Sequence, residues 1–356
     1  MRGKTRANLN YGAQIFGGKE NIGYFCTHIR KRRQKDMPST NLTFALFGNV
    51  YQHEKSAAVH QVLACLQEHG ARILIEEEYC DFLRCSELID LRSSLLTLGR
   101  ADASIALRSL TRSLDIDDVE TFNDSNFEAD FAISMGGDGT LLKTASQVRE
   151  KQIPILGVNM GRLGFLADVS AKDFERTADA LFRGEYSVED RALIRVESDG
   201  EPIDGYDCAL NDVAILKRDT ASMISIRTSI NGEYLTTYQA DGLIVSTPTG
   251  STAYSLSNGG PIIVPRTGVM LMTAVAPHSL NVRPIVLPDS AEIELTVSSR
   301  SHTFLVAIDG RSSKMPEGTT LRLHRAPYMV KVVKRPDTRY FTTLREKMMW
   351  GVDGRT

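Results

Sequence analysis

A glycine-rich turn that holds one carboxylate is the clearest candidate for chemistry in this sequence. Residues 136–139 are Gly-Gly-Asp-Gly, directly after an apolar run and directly before a helical pattern. Glycines let another molecule approach the backbone closely, and free N–H groups at the start of a helix favour an anion such as phosphate. Asp138 is therefore placed to bind a hydroxyl group or a cation. The alternative is a tight turn in which Asp138 only caps the following helix.

Two later stretches carry groups that suit a nucleotide. Residues 159–165 (Asn-Met-Gly-Arg-Leu-Gly-Phe) form a second glycine-rich turn after an apolar run. Residues 241–257 contain a strand that leads into a turn dense in hydroxyl groups, where Tyr254 can stack on a flat base. Hydroxyl and backbone N–H groups can bind ribose or phosphate. The alternative for the latter turn is a loop whose Ser and Thr side chains cap its own helix.

A polar pair, Asn211 and Asp212, interrupts a β-type run between Cys208 and Leu216. Burying two such groups without partners costs roughly 1–3 kcal/mol each. A ligand hydroxyl is a good partner for the pair, and a local turn is the alternative.

The elements that must position these residues are of two kinds. Residues 43–76 predict a strand, a helix and a strand, the β-α-β unit that is typical of a parallel sheet. Strands at 129–134 and 153–158, with a helix at 140–149 between them, continue this pattern. Both glycine turns then follow the carboxyl ends of strands, where ligands collect in open α/β sheets.

After residue 184 the sequence alternates between polar and apolar residues in many short strands, which indicates a β-sandwich. Residues 231–232 (Asn-Gly) predict a hairpin turn within it. The predicted fold class is thus α/β plus all-β, and a late helix can pack back on the first domain. The remaining predictions, in chain order, are a helix at 88–98, an acidic surface loop at 115–124, a helix at 172–183, two strands at 320–324 and 329–333, and a helix at 338–350.

Composition sets the broad class of the protein. The chain has 356 residues, which favours two domains, and its 42% hydrophobic and 24% charged residues are ordinary for a soluble globular protein. The net charge of −2 gives no reason to expect a nucleic-acid partner. The five cysteines include no Cys-x-x-Cys pair, which favours a reduced cytosolic chain over a disulfide framework or a zinc site. The longest apolar runs are far shorter than the ~20 residues of a membrane helix.

The first residues do not predict a packed element. Residues 30–35 form a basic run, but no long apolar core precedes it as in a secretory signal. A targeting peptide is one interpretation. We favour the other, in which Met37 is the true start and residues 1–37 are a disordered or non-native extension, because the first clean strand begins just after Met37.

Taken together, these stretches resemble the NAD kinase family. The resemblance extends over residues ~40–352 and rests on motifs in the right order rather than on one glycine turn. It adds residues 308–310 (Ile-Asp-Gly) and 341–351 (Phe-Thr-Thr-Leu-Arg-Glu-Lys-Met-Met-Trp-Gly) to the stretches above. It implies a Rossmann-like N-terminal α/β domain, a C-terminal β-sandwich domain and a last helix that packs back on the first domain. The implied divisions are an extension at 1–37, the α/β domain at 38–165, a β-rich NAD-binding domain at 166–337 and the returning helix at 338–356.

The resemblance also implies a role for each matching residue. Asp138 corresponds to the catalytic carboxylate that accepts the proton of a ribose hydroxyl or orients that hydroxyl. The other matching residues are expected to bind or line the ligands, and no residue is assigned to a dedicated metal site. These expected binding residues are Gly136, Gly137, Gly139, Lys143, Asn211, Asp212, Asp241, Thr249, Thr252, Ala253, Tyr254, Ser255, Leu256 and Ser257.

The implied reaction transfers the γ-phosphoryl group of ATP, or of another donor, to the 2′-hydroxyl of the adenosine ribose of NAD and gives NADP. A divalent cation, with Mg²⁺ the first candidate, should accompany the triphosphate. The expected partners are NAD and ATP, without nucleic acid or membrane, in a homo-oligomer (dimer or tetramer) in the cytoplasm.

Three positions depart from the family pattern. Asp212 stands where Glu is commoner, Gln239 where some members have Arg, and Arg311 where some members have Gln. Asp is one methylene shorter than Glu, so the ribose contact can shift or use a water molecule. The other two departures affect local ligand contacts but not the reaction class.

Two other kinds of protein compete with this interpretation. Lipid kinases related to diacylglycerol kinase also use a Gly-Gly-Asp-Gly loop, but they usually follow it with Gly-Thr-Gly-Asn-Asp. Residues 157–161 are Gly-Val-Asn-Met-Gly here, which argues against them. A non-catalytic regulator that binds dinucleotides is the other alternative, and the presence of Asp138 argues against it.

Overall fold

The structure is a computed structural model that describes residues 42–50, 56–85, 119–161, 164–218, 222–335 and 339–351. All of these residues belong to one compact unit, Asn41–Thr356. The extension predicted at 1–37 and the helix predicted at 88–98 lie outside the described residues. Among the described helices, none has the length and apolar character needed to cross a membrane.

The first part of the chain forms a parallel sheet between two layers of helices. Its strands have the order β3-β2-β1-β4-β5, and each neighbouring pair is parallel. The strands are short buried apolar runs, as expected for a sheet covered on both faces. Their bounds are β1 Thr43–Gly48, β2 Arg72–Glu76, β3 Glu120–Phe122, β4 Phe131–Gly136, β5 Ile155–Asn159 and the short β6 Val169–Ser170; the helices are α1 Ser56–Glu68, α2 (residues 77–85), α3 Asp138–Val148 and α4 Phe174–Phe182.

Strand order places the glycine turn at the centre of this sheet. The chain leaves β1 toward β2 on one side and returns to β4 on the other side, so β1 and β4 flank the point at which the order reverses. In open α/β sheets the crevice beyond the carboxyl ends of these two strands is the usual ligand site. Gly136 ends β4 and residues 137–139 follow it directly, so this turn lies at the crevice.

The second part of the chain packs two antiparallel sheets against each other. A six-stranded sheet has the order β14-β13-β12-β9-β16-β17. It packs on β10, β15 and β18 through a core that includes Ile226, Val245, Leu295 and Phe304. The bounds are β7 Ser187–Ser198, β8 Cys208–Ala209, β9 Asp212–Lys217, β10 Ile224–Ile230, β11 Glu233–Ala240, β12 Gly242–Ser246, α5 Tyr254–Ser257, β13 Val269–Val275, β14 Ile285–Pro288, β15 Ile293–Ser298, β16 Thr303–Ile308, β17 Arg311–Pro316, β18 Thr320–Lys334 and α6 Tyr340–Met348.

One long strand joins the two parts. Strand β18 pairs with β15 and β7 in the second part, and its Val332 pairs in parallel with Ile155 of β5 in the first. The parallel sheet is thereby continued into a twelve-stranded sheet. The α/β and β-sandwich layers predicted from the sequence are confirmed, whereas the division at residues 165 and 166 stays a prediction.

Several local predictions need correction. The strands predicted at 320–324 and 329–333 are one strand, β18, with a shift of register between Arg325 and Met329. Part of the acidic surface loop predicted at 115–124 is strand β3, because residues 120–122 complete the edge of the parallel sheet. The pattern also missed strands β14 and β17, which are short or polar on one face.

Two other predictions are confirmed. The hairpin turn lies at Asn231 and Gly232, with φ values of 52° and 79° that suit a tight two-residue loop. Helix α6 begins at Tyr340 and returns to the first part of the chain, where the Lys347 ammonium lies 5.0 Å from the centre of the Phe165 ring.

Candidate active site

The Asp138 carboxylate joins the two glycine-rich turns. It accepts hydrogen bonds from the backbone N–H of Phe165 at Oδ2 (2.8 Å), and from Leu166 (2.9 Å) and Ala167 (3.1 Å) at Oδ1. Asp138 is the first residue of α3, and the preceding Gly137 is the N-cap. The carboxylate therefore does not cap its own helix, and the capping alternative is wrong.

Among the described residues, these three hydrogen bonds leave one acceptor position of the Asp138 carboxylate without a partner. A carboxylate offers about four acceptor positions, two on each oxygen. Oδ1 accepts two of the three N–H bonds and Oδ2 accepts one. The free position therefore lies on Oδ2. The three hydrogen bonds fix the orientation of the Asp138 side chain.

The glycines around Asp138 are required for different reasons. A Cβ atom on Gly164 would overlap the Asp138 carboxylate, and one on Gly136 would overlap the Thr140 side chain. Glycine at these two positions is explained by packing. A Cβ on Gly137 or Gly139 would meet no described atom within 4 Å, and neither residue has a positive φ. These two glycines border open space, as expected where a ligand approaches the backbone.

Lys143 does not face an open site in this structure. Its ammonium lies 3.0 Å from a Glu76 carboxylate oxygen and 2.9 Å from one of Glu78. The two carboxylates raise the pKa of Lys143, while its partial burial opposes them as the largest single effect. The role of Lys143 toward phosphate stays a prediction.

The polar pair in the second part is organised by a buried carboxylate, Asp309. It accepts hydrogen bonds from the backbone N–H of Leu210 (2.7 Å), Asn211 (2.8 Å) and Asp212 (3.1 Å). Asp309 itself has a φ of 48°, in the tight turn that ends β16. The Asn211 side-chain oxygen is buried and has no hydrogen-bond partner among the described residues. Such an acceptor suits a ligand hydroxyl or amino group.

Burial and a neighbouring charge both affect the pKa of Asp212. Loss of solvent is the larger effect and the negative charge of Asp309 the second; together they raise the pKa to about 7. Burial also raises the pKa of Asp309, although the three N–H groups oppose this by stabilising its charged form. Asp212 is therefore the group whose charge changes near neutral pH.

The hydroxyl-rich loop packs directly on this pair. The Thr247 N–H donates to the Asn211 carbonyl oxygen (2.9 Å), and the Thr247 hydroxyl donates to the Leu210 carbonyl (2.6 Å). A Cβ on Gly250 would overlap the Asn211 backbone. Sequence-distant residues 211 and 250 are thus held in contact.

Within the hydroxyl-rich loop, burial separates structural side chains from accessible ones. Ser255 is buried, and its hydroxyl bonds to that of Thr273 (2.8 Å). Tyr254 is 39% exposed, which leaves its ring free to stack. Of the other predicted lining residues, Thr249 is buried, Thr252, Ala253 and Leu256 are half-buried, and Ser257 is exposed.

A depression in the surface is lined by residues next to both centres. Phe165 and Leu166, whose N–H groups hold Asp138, line it from one side. Pro248, Thr249 and Thr252 of the hydroxyl-rich loop line it from the other side. The depression therefore has two residues whose N–H groups bind Asp138 on one wall and the loop that contacts Asn211 on the other, while Asp138 and Asn211 themselves do not line it. The predicted cleft between the two centres stays a prediction.

Asp241, which we expected to bind a ligand, lies away from Asp212 and the hydroxyl-rich loop. Strands β9 and β12 are antiparallel, with Asp212 opposite Ser246 and Leu216 opposite Gly242. Asp241 therefore precedes the end of β12 that is distant from Asp212, and it pairs there with Lys217 (2.7 Å). A ligand contact by Asp241 stays a prediction.

Two of the positions that depart from the family pattern have structural partners. The Gln239 side chain exchanges hydrogen bonds with the Ser225 hydroxyl across β10 and β11. Arg311 donates to the Cys208 carbonyl oxygen (3.1 Å) and stacks over the Tyr206 ring at 5.2 Å. Both side chains stabilise the β-sandwich.

Arg191 lines the depression from β7 and was not predicted as a site residue from the sequence. It is buried, and it donates to the Thr249 hydroxyl (3.2 Å) and to Glu189 (2.8 Å). A lone arginine in an alternating strand gives no signal of its position, because only the tertiary fold places it beside the loop. Tyr340 and Lys347 of α6 were also not assigned a role, although residues 341–351 had been singled out as a motif.

Known protein families match most of this chain. Residues 44–186 match the model of the ATP-NAD kinase N-terminal domain, and residues 210–335 match that of the ATP-NAD kinase C-terminal domain. An NAD kinase of Bacteroides fragilis is 51% identical over 314 residues, which are 88% of this chain and all of that protein. The chain belongs to the NAD kinase family. An NAD kinase of Porphyromonas gingivalis is 39% identical over 86% of this chain and 97% of its own length.

Solved NAD kinase structures share the fold. An Archaeoglobus fulgidus NAD kinase in complex with ATP has a TM-score of 0.56 at 27% identity, over 68% of this chain and 94% of that one. A yeast NADH kinase complexed with NADH has a TM-score of 0.72 over 88% and 89% of the two chains. Its 20% identity supports the fold alone.

Proposed function

We propose that this protein is an NAD kinase that phosphorylates the 2′-hydroxyl of the adenosine ribose of NAD with ATP and releases NADP. Membership of the NAD kinase family supports the reaction. The observation that carries it is the fixed Asp138 carboxylate, with one acceptor position open, beside a cleft that the hydroxyl-rich loop also lines.

Asp138 acts on the hydroxyl that is phosphorylated. Its free Oδ2 position accepts a hydrogen bond from the 2′-hydroxyl and takes the proton as that oxygen bonds to the γ-phosphorus. The bond between the γ-phosphorus and the bridging oxygen breaks, and its electron pair remains on the β-phosphate of ADP. Such a base contributes about 10²–10⁴-fold to the rate.

The second wall of the cleft holds the dinucleotide. Asn211 and Asp212 bind the adenosine part, since Asn211 presents an unpaired acceptor and Asp212 a buried carboxylate. Thr249 and Thr252 line the approach, and Tyr254 stacks on a base. Gly137 and Gly139 leave room for phosphate beside the start of α3.

The residues present fit a metal that arrives with the triphosphate. Among the described residues there is no group of three His, Cys, Asp or Glu side chains that could form a dedicated metal site. Mg²⁺ is usually held largely by substrate phosphates and water molecules, so it would be bound together with ATP and would not need the acceptor position that Asp138 offers to the 2′-hydroxyl. The metal neutralises charge on the phosphates when it is bound.

Exposed apolar side chains and free thiols support our expectations for the oligomeric state and the cellular compartment. We expect a dimer or tetramer, because Leu280 and Val286 of the β-sandwich are 90% and 49% exposed and would be covered by another subunit. Cys65, Cys80, Cys85 and Cys208 are free thiols, as expected in the cytoplasm.

The direct test is to incubate the purified chain with NAD, ATP and Mg²⁺ and to measure NADP. We expect NADP to form in proportion to ADP. Binding of NAD without NADP formation, with ATP or polyphosphate as donor, would favour the non-catalytic regulator. Phosphorylation of diacylglycerol instead of NAD would support the lipid kinase.

A further inference from the structure

Lys347 carries a positive charge that is close enough to interact electrostatically with Asp138. It belongs to α6, which is anchored by the buried Leu344 almost one turn earlier. The Lys347 Nζ atom is shielded from solvent and has no hydrogen-bond partner among the described residues. It lies 5.0 Å from the centre of the Phe165 ring, and the Phe165 N–H is bonded to Asp138.

The nearby carboxylates already have partners. Asp168 forms a buried ion pair with Lys334 at 2.6 Å, and Asp138 is held by three N–H groups. Burial lowers the pKa of Lys347 to about 8, with a smaller opposing effect from the negative charges of Asp138 and Asp168. Among the described residues, the buried Lys347 ammonium thus has a contact with the Phe165 ring but no hydrogen-bond acceptor.

Such a group is unfavourable for folding alone. An ammonium removed from water without a hydrogen-bonded partner destabilises the folded state strongly. Lys143 shows the contrast, because two glutamates bind its ammonium. An anionic ligand oxygen in the cleft would give Lys347 the partner that the protein lacks.

We infer that Lys347 is a catalytic residue that binds a non-bridging oxygen of the γ-phosphoryl group as this group passes from ATP to the 2′-hydroxyl held by Asp138. The inference rests on the proposed function. Charge on the transferred group is spread over its three equatorial oxygens, and a fixed cation next to one of them stabilises the transition state. Lys347 stays protonated throughout, and the transferred proton goes to Asp138.

The test compares Lys347→Met with Arg345→Met in the full chain. Arg345 is on the same helix but exposed, and among the described residues its guanidinium donates a hydrogen bond only to Thr342 of that helix. We expect Lys347→Met to lower kcat about 10²–10³-fold, with NAD affinity within about threefold, since the ribose contacts lie elsewhere. Arg345→Met should keep kcat within about twofold, as a surface change distant from the substrates should.

Thermal unfolding separates this role from a structural one. If the ammonium serves the ligand, Lys347→Met should keep or raise the Tm, because it removes a desolvated charge. A lower Tm together with a lower kcat would indicate that the lysine docks α6, and it would overturn the inference. If Lys347→Met does not fold, Lys347→Arg takes its place in the test. Because arginine keeps the positive charge, it should retain more than about a thousandth of the wild-type kcat/KM for ATP. A folded Lys347→Arg variant below that value also overturns the inference.

Inorganic tripolyphosphate tests the contact without turnover. It should raise the Tm of the wild type and of Arg345→Met, and raise that of Lys347→Met much less. An equal shift in all three proteins overturns the inference. Because this readout needs no NADP, it still decides the role of Lys347 if the wild type has no NAD kinase activity, which would refute the proposed function separately.

Discussion

At the scale of single residues, the two oxygens of Asp138 have separate tasks. Oδ1 is saturated by Leu166 and Ala167, whereas Oδ2 accepts from Phe165 and keeps one position open. The same side chain thus fixes the second glycine turn and offers an acceptor to the substrate. Substitution of Asp138 should affect both tasks, and an experiment has to measure them separately.

Asp138→Asn should lower kcat about 10²–10⁴-fold because the amide cannot accept the hydroxyl proton. One backbone N–H will face the amide NH₂ group, so we also expect a loss of about 1–3 kcal/mol in the free energy of unfolding. Steady-state kinetics and urea unfolding measure the two effects. Asp199→Asn is the control, since Asp199 accepts one backbone N–H at a distant, exposed position and should keep wild-type kcat.

Gly139→Ala tests whether a ligand occupies the open space beside the turn. Gly139 lies in the first turn of α3 and a Cβ there meets no described atom within 4 Å, so alanine should stabilise the protein by up to about 1 kcal/mol. If phosphate approaches this backbone, kcat/KM for ATP should nevertheless fall at least about tenfold. A more stable variant with unchanged kinetics would remove Gly139 from the binding site.

At the scale of elements, strand β7 holds the hydroxyl-rich loop in place through Arg191. The guanidinium connects Glu189 of the same strand to Thr249 of the loop. Arg191 and Thr249 both line the depression, and Phe165 and Leu166 form its opposite wall. The shape of the cleft therefore depends on a strand that belongs to neither glycine motif.

Thr249→Val should loosen this connection without changing the size of the side chain. The variant leaves an Arg191 N–H buried and unpaired, which should cost about 1–3 kcal/mol of stability. We expect the KM for NAD to rise about tenfold while kcat changes less, because the loop positions substrate and does not react. Thr267→Val, in an exposed turn, is the control and should keep the wild-type KM. A larger effect on kcat than on KM would contradict a positioning role.

At the scale of the whole molecule, the buried pair Asp212 and Asp309 connects stability to pH. The pKa of Asp212 rises from 3.8 to about 7 on folding. The folded state therefore binds a proton that the unfolded state has released over this interval. The contribution of Asp212 to stability is present below about pH 4 and is lost as the pH rises to about 7.

Asp212→Asn should remove this pH dependence. One pKa unit corresponds to about 1.4 kcal/mol, so the wild type should lose at most about 4 kcal/mol between pH 4 and pH 7 through this group. Between pH 4 and pH 7 the free energy of unfolding of the variant, measured with urea, should fall by correspondingly less than that of the wild type. Parallel losses in the two proteins would show that Asp212 is solvated in the folded state. Comparing the two proteins cancels the titration of groups that do not interact with Asp212, such as His69.

Much of the fold is encoded locally. Short-range patterns predict a strand at 129–134, a helix at 140–149 and the Asn-Gly hairpin. All three are present, with the strand at Phe131–Gly136 and the helix at Asp138–Val148. The sequence patterns were wrong where the pairing with a neighbouring strand determines whether residues form a strand. Residues 120–122 are polar in part, and only the edge of β2 makes them a strand. Strand β18 looked like two strands because its register shift interrupts the alternation.

The residue types of the candidate site were also determined by the sequence alone. Asp138, the polar pair at 211–212 and the hydroxyl-rich loop are recognisable because each combines a special backbone turn with side chains that bind hydroxyl or phosphate groups. Their proximity was decided only by the tertiary structure. The strand order brings residues 138 and 165–167 to one crevice, and antiparallel pairing brings residue 250 to residue 211.

Contacts between residues that are distant in the sequence determine the surroundings of each side chain, which the sequence left undecided. Lys143 and Lys347 are both lysines near the end of a motif, but the fold gives two carboxylates to the first and none to the second. Arg191 belongs to no motif, and only the fold brings it into contact with Thr249. Local sequence determines backbone conformation and chemical type, because these depend on neighbours in the chain. Burial, charge pairing and access to the cleft depend on residues brought together by folding, and only the tertiary structure decides them.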